Sequence, residues 1–211
     1  MQPTIIIPYR DREDQLFVFA EYFSNALFTN ELIFVKQEGT ALFNRGALLN
    51  AGVKYAESLG HTHVILHDVD MLPCTIETIS YYNQGYECAH LCMYASQFPK
   101  PLGMLYFGGV NAFSIEVFKR INGFSNQFWG WGGEDNDLLN RCIAGGFKPD
   151  YLPGRYISMC HEPQSKANFE NNRRKFKHSG PQHYTLDGYA QAHFKTEINK
   201  VNNVTFVACY L

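Results

Sequence analysis

Val64-Ile65-Leu66-His67-Asp68-Val69-Asp70 is a short apolar run that ends in two carboxylates. A continuous run of this kind reads as a strand buried on both faces, as in parallel sheets. Two similar runs precede it: Thr4-Ile5-Ile6-Ile7, ending at Pro8, and Leu32-Ile33-Phe34-Val35. Between them, a helix from about Glu13 to Leu27 would place Leu16, Phe19, Ala20 and Phe23 on one face. A second helix, opened by Asn44-Arg45, would carry Leu48, Leu49, Val53 and Ala56. Strand, helix, strand, helix, strand predicts a doubly wound α/β half. Such sheets bind ligands at the carboxyl ends of their strands, where Arg10, Arg12, Asp68 and Asp70 all fall. Neither a G-x-G-x-x-G turn nor a P-loop follows the first strand, which argues against the usual dinucleotide-binding and P-loop folds.

The second half is more mixed. Cys88 to Met93, Tyr106 to Phe113 and Arg155 to Cys160 read as strands, the last ending in His161. Short helices are expected over Ser114 to Ile121 and Glu134 to Ala144, the latter closed by Gly145-Gly146. Ala167 to His178 is polar, basic and weakly helical, and Phe194 to Ile198 and Thr205 to Tyr210 would add edge strands. The expectation is one domain over residues 1–211, in two halves that meet at about residue 105.

The 211 residues are 45% hydrophobic and 18% charged, ordinary for a globular chain. A net charge of −2 and a pI near 6.4 give no electrostatic footprint for nucleic acid or an anionic membrane. No apolar run approaches the roughly 20 residues of a membrane span, so neither a span nor a signal-like leader is expected. Six scattered cysteines are expected as free thiols, and Cys88 and Cys92 lack the further pair a structural zinc needs. Thirteen tyrosines and 17 phenylalanines are enough for a core and for surfaces that stack on sugar rings.

Both tryptophans lie in Phe128-Trp129-Gly130-Trp131-Gly132-Gly133-Glu134-Asp135-Asn136-Asp137. Glycine at this density implies positive φ and a mobile loop, on which the indoles are expected to be unburied and to meet a ligand. The acids that follow open an apolar-periodic run, Leu138 to Ile143, and carboxylates suit the first turn of a helix. Asp68 and Asp70 point to one side of an extended segment, where a divalent cation is their natural partner. Met159 and His161 alternate on the expected strand, so they could face the same ion, and a thioether and imidazole beside a carboxylate favour Mn²⁺ over Mg²⁺. Each of these alone is more often a turn, a core methionine or a surface histidine. Arg10, Arg12 and Arg45 gather near one strand-end edge and suit a diphosphate.

Together these segments resemble the β-1,4-galactosyltransferase family, inverting enzymes that use UDP-galactose and Mn²⁺. The resemblance follows Ile5 to Arg12, Phe43 to Asn50, Asp68-Val69-Asp70, Tyr106 to Val110, Asn122-Gly123-Phe124 and Phe128 to Asp137 in order, and covers about Thr4 to His161. It implies a GT-A-type α/β fold, a mixed sheet flanked by helices. It implies nucleotide-sugar contacts at Pro8, Tyr9, Arg10, Arg12, Phe43, Arg45, Asp68, Val69, Tyr106, Gly109 and Trp131. Metal ligands would be Asp70, His161 and Met159; other members place the third ligand one residue earlier, at Ser158. Asp135 would be the general base, with Glu134 holding the acceptor, and Tyr106 would exclude an N-acetylated donor sugar. Acceptor contacts would come from Tyr106, Trp131, Gly132, Gly133, Glu134, Asp135 and Arg174. The expected partners are UDP-galactose and a saccharide or glycolipid acceptor. Animal relatives carry a membrane anchor and lumenal stem, so the expectation is a bacterial-type cytoplasmic enzyme of surface polysaccharide or lipopolysaccharide synthesis, peripheral association with the inner membrane face being allowed. The alternatives are a UDP-GalNAc-using transferase of the same fold, a non-catalytic sugar-binding module and a metal-dependent nucleotide-sugar hydrolase.

Overall fold

In the computed structural model, which describes residues 2–160, 168–201 and 204–211, Pro8 does not end the first strand. β1 runs Thr4–Tyr9 and is buried at every residue. It pairs in parallel with β2 (Leu32–Glu38) along its length, Pro8 standing opposite Val35, but with β3 (His63–His67) only from Thr4 to Ile6. Beyond Ile6 one side of β1 has no ladder partner, so a residue without an N–H is tolerated there. Between β1 and β2 lies α1 (Glu13–Phe23), shorter than the expected Glu13 to Leu27. Ser24 and Asn25 end it, because Asn25 Oδ1 accepts from Leu27 N and offers the backbone a turn in place of another helical bond. α2 (Arg45–Ser58) has Asn44 as its cap, accepting from Ala47 N at 3.0 Å.

The remaining elements are β4 (Met71–Pro73), α3 (Ile76–Ser80), β5 (Cys88–His90), β6 (Tyr94–Ala95), β7 (Val110–Ser114), α4 (Ile115–Arg120), α5 (Glu134–Ala144), β8 (Asp150–Tyr151), β9 (Arg155–Ser158), α6 (Phe169–His178), α7 (Pro181–Tyr184), β10 (Lys195–Val201) and β11 (Val204–Tyr210). Eight strands form one mixed sheet in the order β10-β11-β2-β1-β3-β7-β5-β8, and β4-β9-β6 form a second, small sheet. The first half is the parallel, doubly wound part. β7 then turns the sheet antiparallel against β3 and β5. Alternate residues of β1 supply two cores: Ile6 packs with Leu48, Leu49 and Val53 of α2, while Ile5 and Ile7 pack with Phe19 and Phe23 of α1.

Three of the expected strands are corrected. Cys88 to Met93 stops at His90 because the backbone N–H groups of Met93 and Tyr94 turn to Gly154 O. Tyr106 to Phe113 is a strand only from Val110, because Gly109 takes φ +79° and Gly108-Gly109 form an arch before it. Arg155 to Cys160 ends at Ser158. The alternation argument that aimed Met159 and His161 at one ion therefore loses its strand, and His161 lies outside the described residues. The tail gives one edge strand, not two: β10 is the edge, and β11 lies inside the sheet between β10 and β2. All six cysteines are free thiols.

Candidate active site

The turn at the carboxyl end of β3 faces the start of α5, and a cleft of about 600 Å³ lies between them. One wall is the turn after β3. Its backbone is held by Asp68 N donating to Gly109 O at 3.1 Å and Met71 N donating to Asp68 O at 3.2 Å. Behind it, the fully buried His67 bonds Asp68 O through Nδ1 at 2.8 Å and Tyr82 OH through Nε2 at 2.6 Å. Burial lowers the His67 pKa to about 3, so the ring is neutral, Nδ1 carries the proton to the carbonyl and Nε2 accepts from the tyrosine. This fixes the loop that presents Asp68 and Asp70 to the cleft.

The opposite wall is the first turn of α5. Gly133 caps it at φ +100°, a left-handed conformation that a side chain would strain, and a Cβ there would meet the Phe128 ring at 2.8 Å. Glu134 and Asp135 follow as its first residues. Within the helix Arg141 Nε donates to Asp137 Oδ2 at 2.7 Å in a buried i,i+4 ion pair, and Ser179 Oγ ties the helix to the end of α6 by donating to Asp137 Oδ1.

Arg45 joins the two walls. Its Nε donates to Asp68 Oδ1 at 2.6 Å and its Nη1 to Asp135 Oδ1 at 2.8 Å, with only 11% of its side chain exposed. Burial opposes the Arg45 charge, but Asp68, Asp135 and Glu134 more than offset it and raise its pKa. Burial likewise pushes the Asp135 carboxyl well above the usual carboxylate range, against the pull of Arg45, and raises Glu134 in the same way. Arg45 Nη2 and Glu134 Oε2 are buried with no hydrogen-bond partner among the described residues, and both residues line the cleft. A donor and an acceptor left open in this way suit a polyhydroxylated ligand.

The sequence expectation gave Arg45 to a diphosphate together with Arg10 and Arg12. The structure spends two of its bonds on carboxylates and leaves the other two arginines off the cleft lining. Arg10 donates to Ala41 O and lies over the Phe43 ring at 5.9 Å, one residue behind the wall. Arg12 donates to Asp11 O at 3.2 Å. Pro8, Tyr9 and Val69 are buried and do not line it either, and Arg174 is exposed on α6. The cleft does collect Phe43, Arg45, Asp68, Asp70, Tyr106, Gly109, Trp131, Gly132, Gly133, Glu134 and Asp135. Met159 is outside the lining, but its N–H donates to Asp70 O at 2.7 Å, so the two residues are neighbours.

Trp131 is 44% exposed, as a ligand-facing indole should be, whereas Trp129 is half-buried, contrary to expectation. The reason lies in α6. Asn172, fully buried, donates through Nδ2 to Trp129 O at 3.0 Å and Trp131 O at 3.2 Å, and Asn168 donates to Trp129 O at 2.8 Å. Gly130 N donates to Phe43 O at 2.7 Å, and Trp131 packs against Phe169 at 5.2 Å. Sequence reasoning missed both asparagines. Their i,i+4 spacing on a polar helix was the available signal, since it puts two amides on one face. Asn172→Ala is expected to cost about 1–3 kcal/mol by removing a fully buried amide and its two bonds to the loop backbone. It should also shift tryptophan emission to the red and raise its quenching by acrylamide. Both tryptophans of the chain are in this loop, so the spectrum reports on it alone; unaltered emission and quenching would refute the latch.

Residues 1–88 match a family model described as the N-terminal region of glycosyl transferase group 7. Residues 90–162 match one described as the N-terminal domain of galactosyltransferase. The chain is 36% identical to β-1,4-galactosyltransferase 6 of Mus musculus over 196 residues, 87% of this chain and 50% of that protein. It is 34% identical to β-1,4-galactosyltransferase 5 of Homo sapiens over 218 residues, 98% and 53% of the two. The chain thus spans about half the length of the curated relatives it matches. Its fold matches a mutant Drosophila β-1,4-galactosyltransferase 7 solved with manganese, UDP-Gal and xylobiose, with a TM-score of 0.77 at 22% identity, covering 100% of this chain and 94% of the other. That likeness establishes a GT-A-type mixed sheet flanked by helices. With the two models accounting in sequence for the Asp-Val-Asp wall and for the tryptophan loop with its acidic helix start, the chain belongs to the β-1,4-galactosyltransferase family.

Proposed function

We propose that the protein transfers galactose from UDP-galactose to a saccharide hydroxyl with inversion, using Mn²⁺. The observation that carries this reading is the cleft itself. It sets the Asp68–Asp70 turn on one wall and Asp135 on the other, bridges them through Arg45 and has Trp131 in its lining. The relatives' names and the manganese and UDP-Gal of the Drosophila complex support the donor and the metal.

In the proposed reaction the acceptor oxygen attacks the anomeric carbon of galactose from the face opposite the diphosphate. A C–O bond forms, the bond to the β-phosphate breaks, UDP leaves with the electron pair, and the hydroxyl proton passes to Asp135. Asp135 suits this task because it is held by one charge-assisted bond and lies in a partly dry site that raises its basicity. Glu134 Oε2, buried and open, would accept from a sugar hydroxyl, and Trp131 would cover the ring and exclude water. Tyr106, on the wall beside Asp135, would limit the room at the donor's second carbon.

Mn²⁺ would be held by Asp70 and Met159, with His161 completing the set from outside the described residues. The fit rests on the donor chemistry: a carboxylate on the cleft wall and a neighbouring thioether-bearing residue suit Mn²⁺ better than Mg²⁺. Among the described residues, which do not include His161, no group of three His, Cys, Asp or Glu side chains could hold a metal. When bound, the ion offsets the charge that develops on the departing diphosphate.

A donor screen with Mn²⁺, a mixed set of monosaccharide acceptors and separate detection of free sugar tests the proposal. Acceptor-dependent galactose transfer is expected, and Asp70→Ala should remove both transfer and Mn²⁺ binding measured calorimetrically. Release of free galactose regardless of acceptor would make the protein a hydrolase. Sugar binding without turnover, retained in Asp70→Ala, would make it a binding module. The surface-polysaccharide or lipopolysaccharide acceptor and the cytoplasmic location belong to the same proposal, tested by acceptor profiling and cell fractionation.

A further inference from the structure

His90 is a buried imidazole that the reaction above does not use. It ends β5, opposite Asn111 of β7, and its ring is fully enclosed. Nε2 lies 2.9 Å from the Gly108 carbonyl, while Nδ1 is buried with no hydrogen-bond partner among the described residues. Burial lowers its pKa to about 4, so the ring is neutral and holds one proton. A carbonyl only accepts, which puts that proton on Nε2. A phenylalanine would fill this space without stranding a buried nitrogen, so the distinctive service of the histidine is its bond to Gly108.

Gly108 occupies a decisive point. A Cβ built on it would lie 2.6 Å from Asp135 Oδ2 and 2.8 Å from Tyr106 OH. The backbone here is thus the floor on which both the carboxylate and the phenol rest. The next residue, Gly109, is tied through its carbonyl to Asp68 N. The His90 ring also meets the edge of Tyr106, centroids 5.8 Å apart at 69°. His90 therefore touches the Tyr106–Gly109 arch at three points, the third being the Phe107 ring with centroids 5.7 Å apart, and reaches the cleft lining through that arch.

We propose that His90 is a specificity-determining positioning residue: by bonding the Gly108 carbonyl and bracing Tyr106, it fixes how much room the cleft leaves beside the transferred sugar. The inference rests on the reading of Tyr106 as the group that limits the donor. His90 touches neither donor nor acceptor. It acts through the arch, and its loss should change which nucleotide sugar is accepted more than how fast the preferred one reacts.

The test is the ratio of kcat/KM for UDP-GalNAc to that for UDP-galactose in His90→Phe, His90→Gln and Tyr106→Leu, with melting curves for each. His90→Phe keeps the ring contact and removes the donor. His90→Gln returns an N–H at about the same reach. The ratio is expected to rise about tenfold or more in His90→Phe, a shift of the size that small changes in pocket room produce, and to return most of the way in His90→Gln. Tyr106→Leu should raise it further. A merely structural histidine would lower the melting temperature and leave the ratio alone. An unchanged ratio in a folded His90→Phe, with a raised one in Tyr106→Leu, overturns the inference by itself. No rise in either variant overturns the reading of Tyr106 and the inference with it. No transfer by the wild type from any donor overturns the proposed function beneath both.

Discussion

Asp135→Asn is expected to lower galactose transfer by about 10²–10⁴-fold while leaving UDP binding within a small factor of wild type. The change is nearly isosteric and keeps an oxygen for the 2.8 Å bond from Arg45 Nη1, so the cleft walls should stay bridged. What it removes is the lone pair that takes the acceptor proton, because an amide has no useful basicity near neutral pH. Nothing about UDP recognition depends on that lone pair. Calorimetric titration with UDP and Mn²⁺, run beside a transfer assay, separates the two. Full transfer by a folded Asp135→Asn protein would remove this residue from the base role. Loss of UDP binding together with transfer would make it a structural residue of the cleft instead. Glu134→Gln is the useful companion: its open Oε2 suits holding a hydroxyl, so it should affect acceptor KM more than Asp135→Asn does.

The parts of the fold that were readable are those in which local pattern and tertiary role agree. β1, β2 and β3 lie in the parallel part of the sheet, and burial on both faces is what turns a strand into an unbroken aliphatic run. α5 declared itself through its acidic first turn and closing glycines, and its bounds match expectation. The arch at Tyr106 to Gly109 did not, because aromatic residues followed by Val110 read as strand until the positive φ of Gly109 is known. Within the site, the residue types were legible and their partners were not. Arg45 looked like a phosphate fork because arginine beside a helix start usually serves anions. That it instead spans two walls depends on α2 and α5 meeting across 90 positions of sequence, which no local pattern encodes. His90 and Asn172 were silent for the same reason: each acts through the backbone carbonyls of a distant segment.

Arg45→Met tests that bridge and should have the largest combined effect on stability and on pH dependence. The substitution keeps most of the side chain's volume but leaves Asp68 and Asp135 facing the cleft without their shared counter-charge. Breaking a mostly buried ion pair from one side costs about 3–5 kcal/mol, so a large fall in the urea midpoint is expected. The pH effect has a definite sign. Burial raises the Asp135 pKa, and Arg45 is the main influence pulling it back. A general base works when deprotonated, so its rate is present above its pKa and lost as pH falls through it. Removing Arg45 raises that pKa further, and the acid limb of the kcat/KM profile must move to higher pH. Arg45→Lys retains a point charge but cannot bond both carboxylates through one planar fork, so its limb should lie between those of wild type and Arg45→Met. The two readouts are independent. A destabilised variant whose acid limb stays in place would mean that Arg45 only braces the cleft. A limb that moves to lower pH would mean that Asp135 is not the group whose ionisation the profile reports. The expected upward shift would tie the residue that joins the Asp-Val-Asp turn to the acidic helix directly to the protonation state of the base.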